Sequence, residues 1–273
     1  MRLGDLEVNR LGFGAMRVCG PQVWGPPMDR ANARKVLRRA YELGHNFFDT
    51  ADSYGPEVSE ILIAEALHPY PKDLVIGTKG GLLRPSPPQW VPDGRPEHLR
   101  RALEGSLKRL RLERIDLYQW HAPDSRVSFA ESFGTLAAMQ KAGRIRHLGL
   151  SNVSVAQLEE ARRIAPVVSV QNSYSIDHRS SEDVLKACEK LGLAFLPWYP
   201  LGAGSALRSP TVKRVAARIK ATPAQVAIAW LLAHSRAMLP IPGTASLEHL
   251  EENARAAKLE LPAQDLRELD EAR

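Results

Sequence analysis

Residues 46–55 read NFFDTADSYG, and this stretch decides the fold. It opens with apolar residues that are typical of a buried parallel strand, and it ends in a polar turn at Gly55. Asp49 stands where that strand should end, and a buried carboxylate is costly unless it is paired. The stretch therefore predicts a strand whose carboxyl end carries an acid, followed in the turn by the phenol of Tyr54.

Two other apolar segments end in the same way. Residues 74–79, LVIGTK, end at Lys79, and residues 115–121, IDLYQWH, end at His121. Taken singly, polar residues in such places are more often turn, cap or solvent-facing residues than catalytic ones. Three strands that each deliver a titratable group at the same end are harder to explain by packing, so we expect these groups to meet.

The rest of the chain repeats a strand and then a helix. After a short N-terminal hairpin at 3–8, the apolar segments that predict strands are 11–16, 46–49, 74–79, 115–121, 147–151, 167–171, 193–198 and 238–241. Helical patterns follow nearly all of them, and the last helix is predicted over 262–272. This alternation and length are typical of a parallel (β/α)8 TIM barrel, and no linker divides the chain, so one domain over residues 1–273 is expected.

In a barrel of this kind the active site lies at the carboxyl ends of the strands, so Asp49, Tyr54, Lys79 and His121 are expected on one rim. Tyrosine has a pKa of about 10, and a neighbouring ammonium lowers it. Asp49 can hold Lys79 charged beside Tyr54, which can then give a proton to an oxygen that gains charge, while His121 orients that oxygen. The four side chains therefore predict an electrophilic site for a carbonyl group.

The sequence offers no other reactive group at this rim, and so a hydride donor is expected. No Ser or Cys is evidently paired with a base, and the eight histidines show no metal-binding spacing, which predicts a site without metal. Something else must supply the reducing equivalent, and this points to a bound cofactor. Residues 12–17, GFGAMR, contain two glycines but lack the third of a Rossmann fingerprint, so they do not predict that dinucleotide-binding motif.

Composition and charge limit the classes of binding partner and the cellular compartment that we expect for the protein. The 37 Lys and Arg exceed the 31 Asp and Glu and give a net charge of +6, but the excess is dispersed and does not indicate nucleic acid. Cys19 and Cys188 form neither a disulfide framework nor a metal motif, which fits a reducing compartment. No signal segment starts at residue 1 and no apolar run is long enough to span a bilayer. A cytoplasmic protein with no membrane partner is expected, as a monomer or weak homo-oligomer.

The chain resembles the aldo-keto reductase family. The motifs that carry the resemblance are DTADSYG at 49–55, TK at 78–79, DLYQWH at 116–121, GLSN at 149–152, QN at 171–172, YPLG at 199–202 and IPGT at 241–244. Their order and spacing extend over nearly the whole chain. The resemblance implies an NAD(P)H-dependent reductase of aldehydes or ketones on a (β/α)8 barrel, with Asp49, Tyr54, Lys79 and His121 as the catalytic tetrad and Tyr54 as the proton donor.

The same resemblance implies where the cofactor lies. Ser151, Asn152 and Gln171 would bind the nicotinamide carboxamide, and Trp198 would stack on the nicotinamide ring unless it is a core tryptophan. The remaining implied cofactor contacts are Gly14, Ala15, Met16, Asp49, Tyr199, Pro200, Leu201, Gly202, Ile241, Pro242, Gly243, Thr244, His249, Glu252 and Asn253.

The far end of the implied cofactor site departs from the family pattern. NADP-preferring members often have a lysine at the position of Gly243 and an arginine at that of His249, so two cations are missing. Thr244, Ser246 and the amino end of a helix can still bind the 2′-phosphate, best when His249 is protonated. We therefore expect NADP(H), with NAD(H) left open, and an NADPH affinity that weakens from about pH 6 to about pH 8.

Aromatic residues predict the substrate pocket. Trp24 and Trp90, together with Tyr54 and His121, are the expected walls, although Trp90 can equally be an apolar anchor for its proline-rich loop. Ala122 stands where many family members have a tryptophan, directly after the catalytic histidine. The segments 20–30 and 243–244 look like those of a bacterial branch that includes pyridoxal reductases, which implies pyridoxal or another aromatic aldehyde as substrate.

Two other functions remain open. A cofactor-binding regulatory or channel-associated barrel subunit with little turnover would keep the fold, although the intact tetrad argues against it. A barrel enzyme that binds a sugar phosphate would need a glycine-rich phosphate loop late in the chain, and residues 201–205, LGAGS, resemble one. The family resemblance interprets that stretch instead as a loop over the cofactor pyrophosphate.

Overall fold

A curved sheet of parallel strands forms the centre of the molecule. The computed structural model describes residues 1–271, and its strands are β1 (Arg2–Leu3), β2 (Leu6–Glu7), β3 (Phe13–Gly14), β4 (Phe47–Asp49), β5 (Val75–Gly80), β6 (Leu82–Leu83), β7 (Val91–Pro92), β8 (Ile115–Trp120), β9 (Ile145–Ser151), β10 (Val167–Ser173) and β11 (Ala194–Trp198). One seven-stranded sheet has the order β11-β10-β9-β8-β5-β4-β3, and its neighbouring strands are parallel. The other strands form two short antiparallel pairs, β1 with β2 and β6 with β7.

Residues 237–242 close the barrel between β11 and β3. One amide of this segment, that of Leu239, donates to the carbonyl of Phe195 at 2.9 Å, and its carbonyl at Pro240 accepts from the amide of Gly12 at 2.9 Å. The predicted eighth strand, 238–241, lies within this segment, but the segment forms no regular ladder because its two prolines, Pro240 and Pro242, have no N–H to donate. The chain therefore has the predicted (β/α)8 architecture, with an extended segment in place of the eighth strand.

Helices cover the outside of the barrel. They are α1 (Arg30–Glu42), α2 (Val58–Leu67), α3 (Pro96–Leu110), α4 (Phe129–Lys141), α5 (Val155–Ile164), α6 (Glu182–Leu191), α7 (Pro210–Arg218), α8 (Pro223–His234), α9 (Leu247–Arg255) and α10 (Ala263–Glu271). Local sequence explains where several begin, since Ser154 and Thr222 form capping boxes and Asp29 accepts from the amide of Asn32 at 2.8 Å. Within residues 1–271, no helix combines the length and the apolar character that a membrane crossing requires.

The alternation of side chains along each strand divides the core into two layers. Phe47 and Leu117 point into the barrel, where they belong to the same cluster as Leu3 of the β1–β2 hairpin. The next residues along the strands, Phe48 and Tyr118, belong to the outer layer that packs against the helices. The hairpin thus fills the amino end of the barrel, and the carboxyl ends of the strands form the end that remains open.

One predicted strand is shorter in the structure than expected. The strand predicted over 11–16 is limited to β3, because its pairing with β4 ends at Asp49 and the next residues, Ala15–Val18, form a 3-10 helix. The last helix, predicted over 262–272, is α10 in the described part of the chain, and Ala272 lies outside the described residues. The proline-rich segment between β5 and α3 also contains the β6–β7 pair, which places its tryptophan at the open end.

Candidate active site

A buried ion pair lies at the centre of the open rim. Nζ of Lys79 is 2.7 Å from Oδ2 of Asp49, and both side chains are almost fully enclosed. Asp49 pairs with Gly77 in the sheet, and Lys79 follows Gly77 by one pleat repeat, so both side chains lie on the same face. Nζ also donates to the carbonyl of Thr50 at 2.9 Å and to the hydroxyl of Tyr54 at 3.2 Å. Burial opposes the charge on Lys79, but Asp49 and Tyr54 outweigh it and raise the pKa of the ammonium.

Two amide side chains hold the other oxygen of Asp49. Nε2 of Gln171 donates to Oδ1 at 2.8 Å, and Nε2 of Gln119 donates to it at 3.2 Å. Because Lys79 occupies Oδ2, both oxygens are paired, as a buried carboxylate requires. Gln119 is absent from the predicted site residues, although its place two residues before His121 puts both side chains on one face of the segment.

Tyr54 keeps its proton in this environment. Burial is the largest influence and raises the pKa of the phenol to about 12, against the lowering effect of Lys79. The predicted direction of the Lys79 effect is confirmed, but the predicted net lowering of the Tyr54 pKa is wrong, because desolvation of the phenolate outweighs one ammonium. Tyr54 is therefore a protonated donor throughout the neutral pH range.

His121 is a neutral imidazole next to the phenol. Burial and, to a smaller extent, the charge of Lys79 hold its pKa well below the usual range of histidine. Its ring lies edge-on to the ring of Tyr54, with the centroids 5.8 Å apart. Its Nδ1 lies 3.3 Å from Oγ of Ser53, and its backbone oxygen accepts from Nδ2 of Asn152 at 2.9 Å. The tetrad thus consists of one charged pair and two neutral groups that can donate hydrogen bonds.

A cavity of about 460 Å³ opens onto the tetrad. Tyr54, His121 and Asp49 contribute to its wall, whereas Lys79 lies behind Tyr54 and can act through it. The predicted cofactor residues in the wall are Gly14, Met16, Asp49, Ser151, Asn152, Gln171, Trp198, Tyr199, Pro200, Leu201, Ile241, Pro242 and Gly243, and Trp90 joins them as a predicted substrate residue. Residues that line the cavity without having been predicted are Arg17, Leu82, Ala203, Gly204 and Leu207. Arg17 lies three residues after the end of β3 and Leu82 two residues after the end of β5, and this proximity to the ends of barrel strands is the signal that marks them in the sequence.

Several predicted residues lie outside this wall, namely Ala15, Trp24, Gly202, Thr244, His249, Glu252 and Asn253. Some of them form local structure instead. Oγ1 of Thr244 accepts from the amide of Ser246 at 3.0 Å, and the Ser246 hydroxyl caps α9 by accepting from the amide of His249 at 3.3 Å. Glu252 accepts from the hydroxyl of Thr222, which itself caps α8. Thr244 and Ser246 thus precede α9, and Glu252 lies within it, where its carboxylate contacts the residue that caps α8.

Trp198 lies in the cavity wall and not in the core. It is only partly buried at the end of β11, and its indole N–H donates to Oδ1 of Asn152 at 3.0 Å. Nδ2 of Asn152 donates to Oγ of Ser151 at 3.1 Å as well as to the backbone of His121. These bonds connect three predicted cofactor residues to His121.

An arginine holds the aromatic wall of the cavity. The guanidinium of Arg84 lies 3.9 Å from the ring centroid of Trp90 and 5.9 Å from that of Trp24. Its Nη2 donates to the carbonyl of Gln22 at 2.7 Å, and the residue is only 6% exposed. Trp90 in turn lies edge-on to the ring of Tyr54 at 6.3 Å. The prediction of Trp24 as a wall residue is corrected, since Trp24 does not line the cavity and its ring lies near Arg84 instead.

Backbone features of the cavity wall also bear on ligand binding. A Cβ on Gly243 would lie 2.1 Å from the carbonyl oxygen of Gly14, so the backbones of these two wall residues are in direct contact. Asn152 and Tyr199 have positive φ values of 58° and 52°, a strained conformation that clusters at ligand sites. The side-chain oxygen of Gln171 has no hydrogen-bond partner among residues 1–271 and can accept from a carboxamide.

Known proteins resemble the chain over nearly its full length. The sequence matches the aldo/keto reductase family over residues 10–273. It is 46% identical over 275 residues to a pyridoxine 4-dehydrogenase of Escherichia coli (strain K12), covering 98% of this chain and 96% of that protein. It is 47% identical over 272 residues to a protein of Schizosaccharomyces pombe named uncharacterized oxidoreductase C215.11c, covering 99% of this chain and 89% of that protein.

Solved structures share the fold. A thermostable aldo-keto reductase, Tm1743, in complex with the inhibitor epalrestat is 30% identical with a TM-score of 0.87, covering 100% of this chain and 99% of that chain. An aldo/keto reductase from Klebsiella pneumoniae in complex with NADP and acetate is 25% identical with a TM-score of 0.81, covering 96% of this chain and 90% of that chain. The predicted barrel class is thereby confirmed.

Proposed function

The chain belongs to the aldo/keto reductase family, as its motifs predict, and we propose that it reduces aldehydes or ketones to alcohols with NADPH, taking the proton from Tyr54. Membership makes it an oxidoreductase that uses a nicotinamide cofactor. The observation that carries the residue assignment is the buried series of contacts from Asp49 through Lys79 to the Tyr54 hydroxyl at the wall of a cavity. The alternative of a regulatory barrel with little turnover has no support, and the loop at 201–204 borders the same cavity, as a loop over a cofactor pyrophosphate would.

Within the tetrad, Tyr54 supplies the proton, and Lys79 and Asp49 stabilise the phenolate that remains after the proton has been transferred. A reduced nicotinamide, when bound, supplies a hydride to the carbonyl carbon. The carbonyl oxygen then gains charge between two donors of the cavity wall, the hydroxyl of Tyr54 and the imidazole of His121. Tyr54 transfers its Oη proton to that oxygen. Lys79, whose Nζ is 3.2 Å from Oη, stabilises the phenolate, and Asp49 keeps Lys79 charged.

The raised pKa of Tyr54 is compatible with this role. An alkoxide is a stronger base than a phenolate, even one whose pKa is about 12, so proton transfer toward the substrate oxygen is downhill. The reverse reaction, oxidation of an alcohol, needs the phenolate of Tyr54 as a base. The phenolate is scarce at neutral pH, so oxidation is favoured only in alkaline solution, whereas reduction has its donor ready.

The residues around the cavity supply the contacts that a nicotinamide cofactor needs. Gln171 and Ser151 offer polar atoms near the tetrad, and Trp198 offers an aromatic face next to them. Arg17 is exposed, lines the cavity and makes no ion pair within residues 1–271, so its charge is available to a pyrophosphate. We place the 2′-phosphate at the amino end of α9, near the hydroxyls of Thr244 and Ser246 and the exposed His249. We propose NADPH as the preferred cofactor, with NADH as the weaker one.

The wall next to the tetrad suits an aromatic aldehyde. Trp90 presents its ring beside those of Tyr54 and His121, at centroid distances of 6.3 and 6.4 Å, and Leu82 adds an apolar contact. The similar pyridoxine 4-dehydrogenase of Escherichia coli points to pyridoxal as the first substrate to try. Pyridoxal is an aromatic aldehyde and so matches both the wall and the electrophilic site.

We further propose that the protein acts as one domain over residues 1–273 in the cytoplasm, as a monomer or weak homo-oligomer. Both cysteines, Cys19 and Cys188, are free and buried, which supports a reducing compartment. Their burial raises the pKa of each thiol to about 12, so neither is a reactive thiolate.

Steady-state oxidation of NADPH and NADH with a panel of aldehydes that includes pyridoxal tests the function. We expect turnover by the unaltered protein, and we expect Tyr54→Phe to lose a factor of about 10²–10⁴ in kcat, the range for a positioned general acid, with an unchanged Kd for NADPH. Tyr70→Phe is the matched control, because it removes a phenol hydroxyl that donates to the carbonyl of Leu110 at 2.7 Å, outside the cavity wall. Failure of the unaltered protein to reduce any aldehyde while it binds NADPH, or a Tyr54→Phe variant with its rate intact, would overturn the proposal.

A further inference from the structure

One hydroxyl outside the tetrad contacts the catalytic imidazole. Oγ of Ser53 lies 3.3 Å from Nδ1 of His121, and both residues are buried. Ser53 directly precedes Tyr54 in a turn whose backbone is anchored where the amide of Asp52 donates to the carbonyl of Lys79 at 3.3 Å. The hydroxyl therefore belongs to the same short segment as the proton donor, and backbone contacts set its position relative to His121.

The position of the ring hydrogen on His121 decides whether the imidazole presents a hydrogen-bond donor or an acceptor to the cavity. The imidazole is neutral, so one ring nitrogen carries a hydrogen and the other accepts one. Nδ1 is the nitrogen next to Ser53, and Nε2 has no hydrogen-bond partner in the described part of the chain, although the ring belongs to the cavity wall. Only an Nε2–H can donate to a carbonyl oxygen, since the other tautomer presents a lone pair that repels it.

The hydroxyl of Ser53 favours one tautomer over the other. Its only hydrogen-bond partner among the described residues is His121. If the hydroxyl donates to Nδ1, its hydrogen is used and the ring hydrogen must lie on Nε2. If Nδ1–H donates to the hydroxyl instead, the hydroxyl hydrogen is left without a protein acceptor in a buried place, which is unfavourable. The first arrangement therefore has the lower free energy.

We propose that Ser53 is a positioning residue that holds His121 as the Nε2–H tautomer, so that the imidazole donates to the carbonyl oxygen of the substrate. The inference rests on the proposed function for the identity of that acceptor. The tautomer of His121, in contrast, is a property of the protein by itself and can be measured without turnover. Ser53 loses no proton in the reaction, because its hydroxyl donates to Nδ1 before and after the Tyr54 proton is transferred.

Nitrogen-15 NMR of protein labelled at histidine shows the tautomer, because protonated and unprotonated ring nitrogens differ in chemical shift. His121→Gln identifies the His121 signal among the eight histidines by its loss. We expect Nε2–H in the unaltered protein, a mixture of tautomers in Ser53→Ala, and a single tautomer again in Ser53→Thr, which keeps the hydroxyl. A dominant Nδ1–H form in the unaltered protein, or an unchanged tautomer in Ser53→Ala, would overturn the proposal.

Kinetics test the consequence for catalysis. We expect Ser53→Ala to lower kcat about tenfold without changing the Kd for NADPH, and Ser53→Thr to recover most of that loss. Ser132→Ala is the matched control, because it removes a buried hydroxyl that donates to the carbonyl of Gly94 at 2.7 Å and lies outside the cavity wall. Its kcat and the His121 signal should stay unchanged.

The two measurements separate this inference from the proposed function. If the unaltered protein reduces no aldehyde but the tautomer still depends on the Ser53 hydroxyl, the proposed function fails and the positioning of His121 stands. If the protein is an active reductase whose tautomer and kcat are indifferent to Ser53→Ala, the function stands and Ser53 has no part in it.

Discussion

The strand ends and the loops at the open end of the barrel differ in how firmly their side chains are held. Lys79 and Asp49 come from adjacent parallel strands, are 0% and 2% exposed, and bond to each other. Trp90 and Tyr199 come from loops and are 37% and 43% exposed. Sheet register fixes the spacing of the first pair, whereas the second pair is held by neighbouring side chains and borders solvent. We infer that the strands determine the chemistry and that the loops determine which substrate and cofactor are accepted.

Lys79→Met should disrupt the strand-end centre most strongly. The change leaves the carboxylate of Asp49 buried without a counter-charge, and breaking a buried pair in this way lowers the free energy of unfolding by about 3–5 kcal/mol. The phenolate of Tyr54 also loses its neighbour at 3.2 Å, so we expect kcat to fall by a factor of about 10²–10³. Chemical denaturation measures the first loss, and steady-state kinetics measure the second.

The double variant with Lys79→Met and Asp49→Asn separates the two effects. A neutral amide removes the uncompensated charge, so most of the lost stability should return, while kcat should stay low because the ammonium is still missing. Recovery of kcat in the double variant would argue against Lys79 as the group that stabilises the phenolate. Full stability of Lys79→Met alone would show that the pair is less buried than its geometry indicates.

Arg84→Met should affect the loop wall more weakly and more selectively. Arg84 packs on Trp90 at 3.9 Å, and a contact of this kind contributes about 0.5–2 kcal/mol, which corresponds to a rise in KM for aromatic aldehydes of about 2–30-fold. The KM for a small aliphatic aldehyde should not change, because such a substrate does not need the aromatic wall.

Kinetics with both classes of aldehyde, and with Arg84→Lys as the matched variant, test the role of the wall. Lysine keeps the charge but loses the planar group that stacks on Trp90, so Arg84→Lys should give an intermediate KM. A rise of KM that is equal for aromatic and aliphatic substrates would mean that Arg84 supports the fold of the open end and does not select substrates.

The arrangement of the strand ends is the part of the candidate site that the sequence predicts best, because parallel register leaves little freedom at neighbouring strand ends. Asp49 and Lys79 end predicted strands, and in the structure they meet at 2.7 Å. The groups that support them are harder to predict. Gln119 looks in the sequence like any other strand residue, yet it holds Asp49 at 3.2 Å. The sequence also does not predict the net pKa shift of Tyr54, because it indicates the neighbouring charge but not the extent of burial.

In the loops, sequence motifs predict which segments border the site but not where each side chain lies. Trp24 is in the expected loop but does not line the cavity, and its ring lies 5.9 Å from Arg84, since an aromatic residue in a loop can support a wall as well as form one. The sequence shows that Gly243 lacks the lysine of NADP-preferring relatives. The structure adds the reason, because a Cβ there would lie 2.1 Å from the carbonyl oxygen of Gly14. The hydroxyl of Thr244, a predicted phosphate ligand, already accepts from the backbone at the start of α9.

His249→Gln should have the smallest effect and tests the outermost part of the loop side. The exposed imidazole lies in the first turn of α9, whose amino end favours anions. The variant should raise the Kd for NADPH about two- to threefold, because it removes an imidazole that can bind a phosphate at this helix end. NADH has no 2′-phosphate, so its Kd should not change. Equal weakening of both cofactors would assign His249 to the packing of α9, and selection of NADPH would then have to come from the hydroxyls of Thr244 and Ser246, which precede the helix.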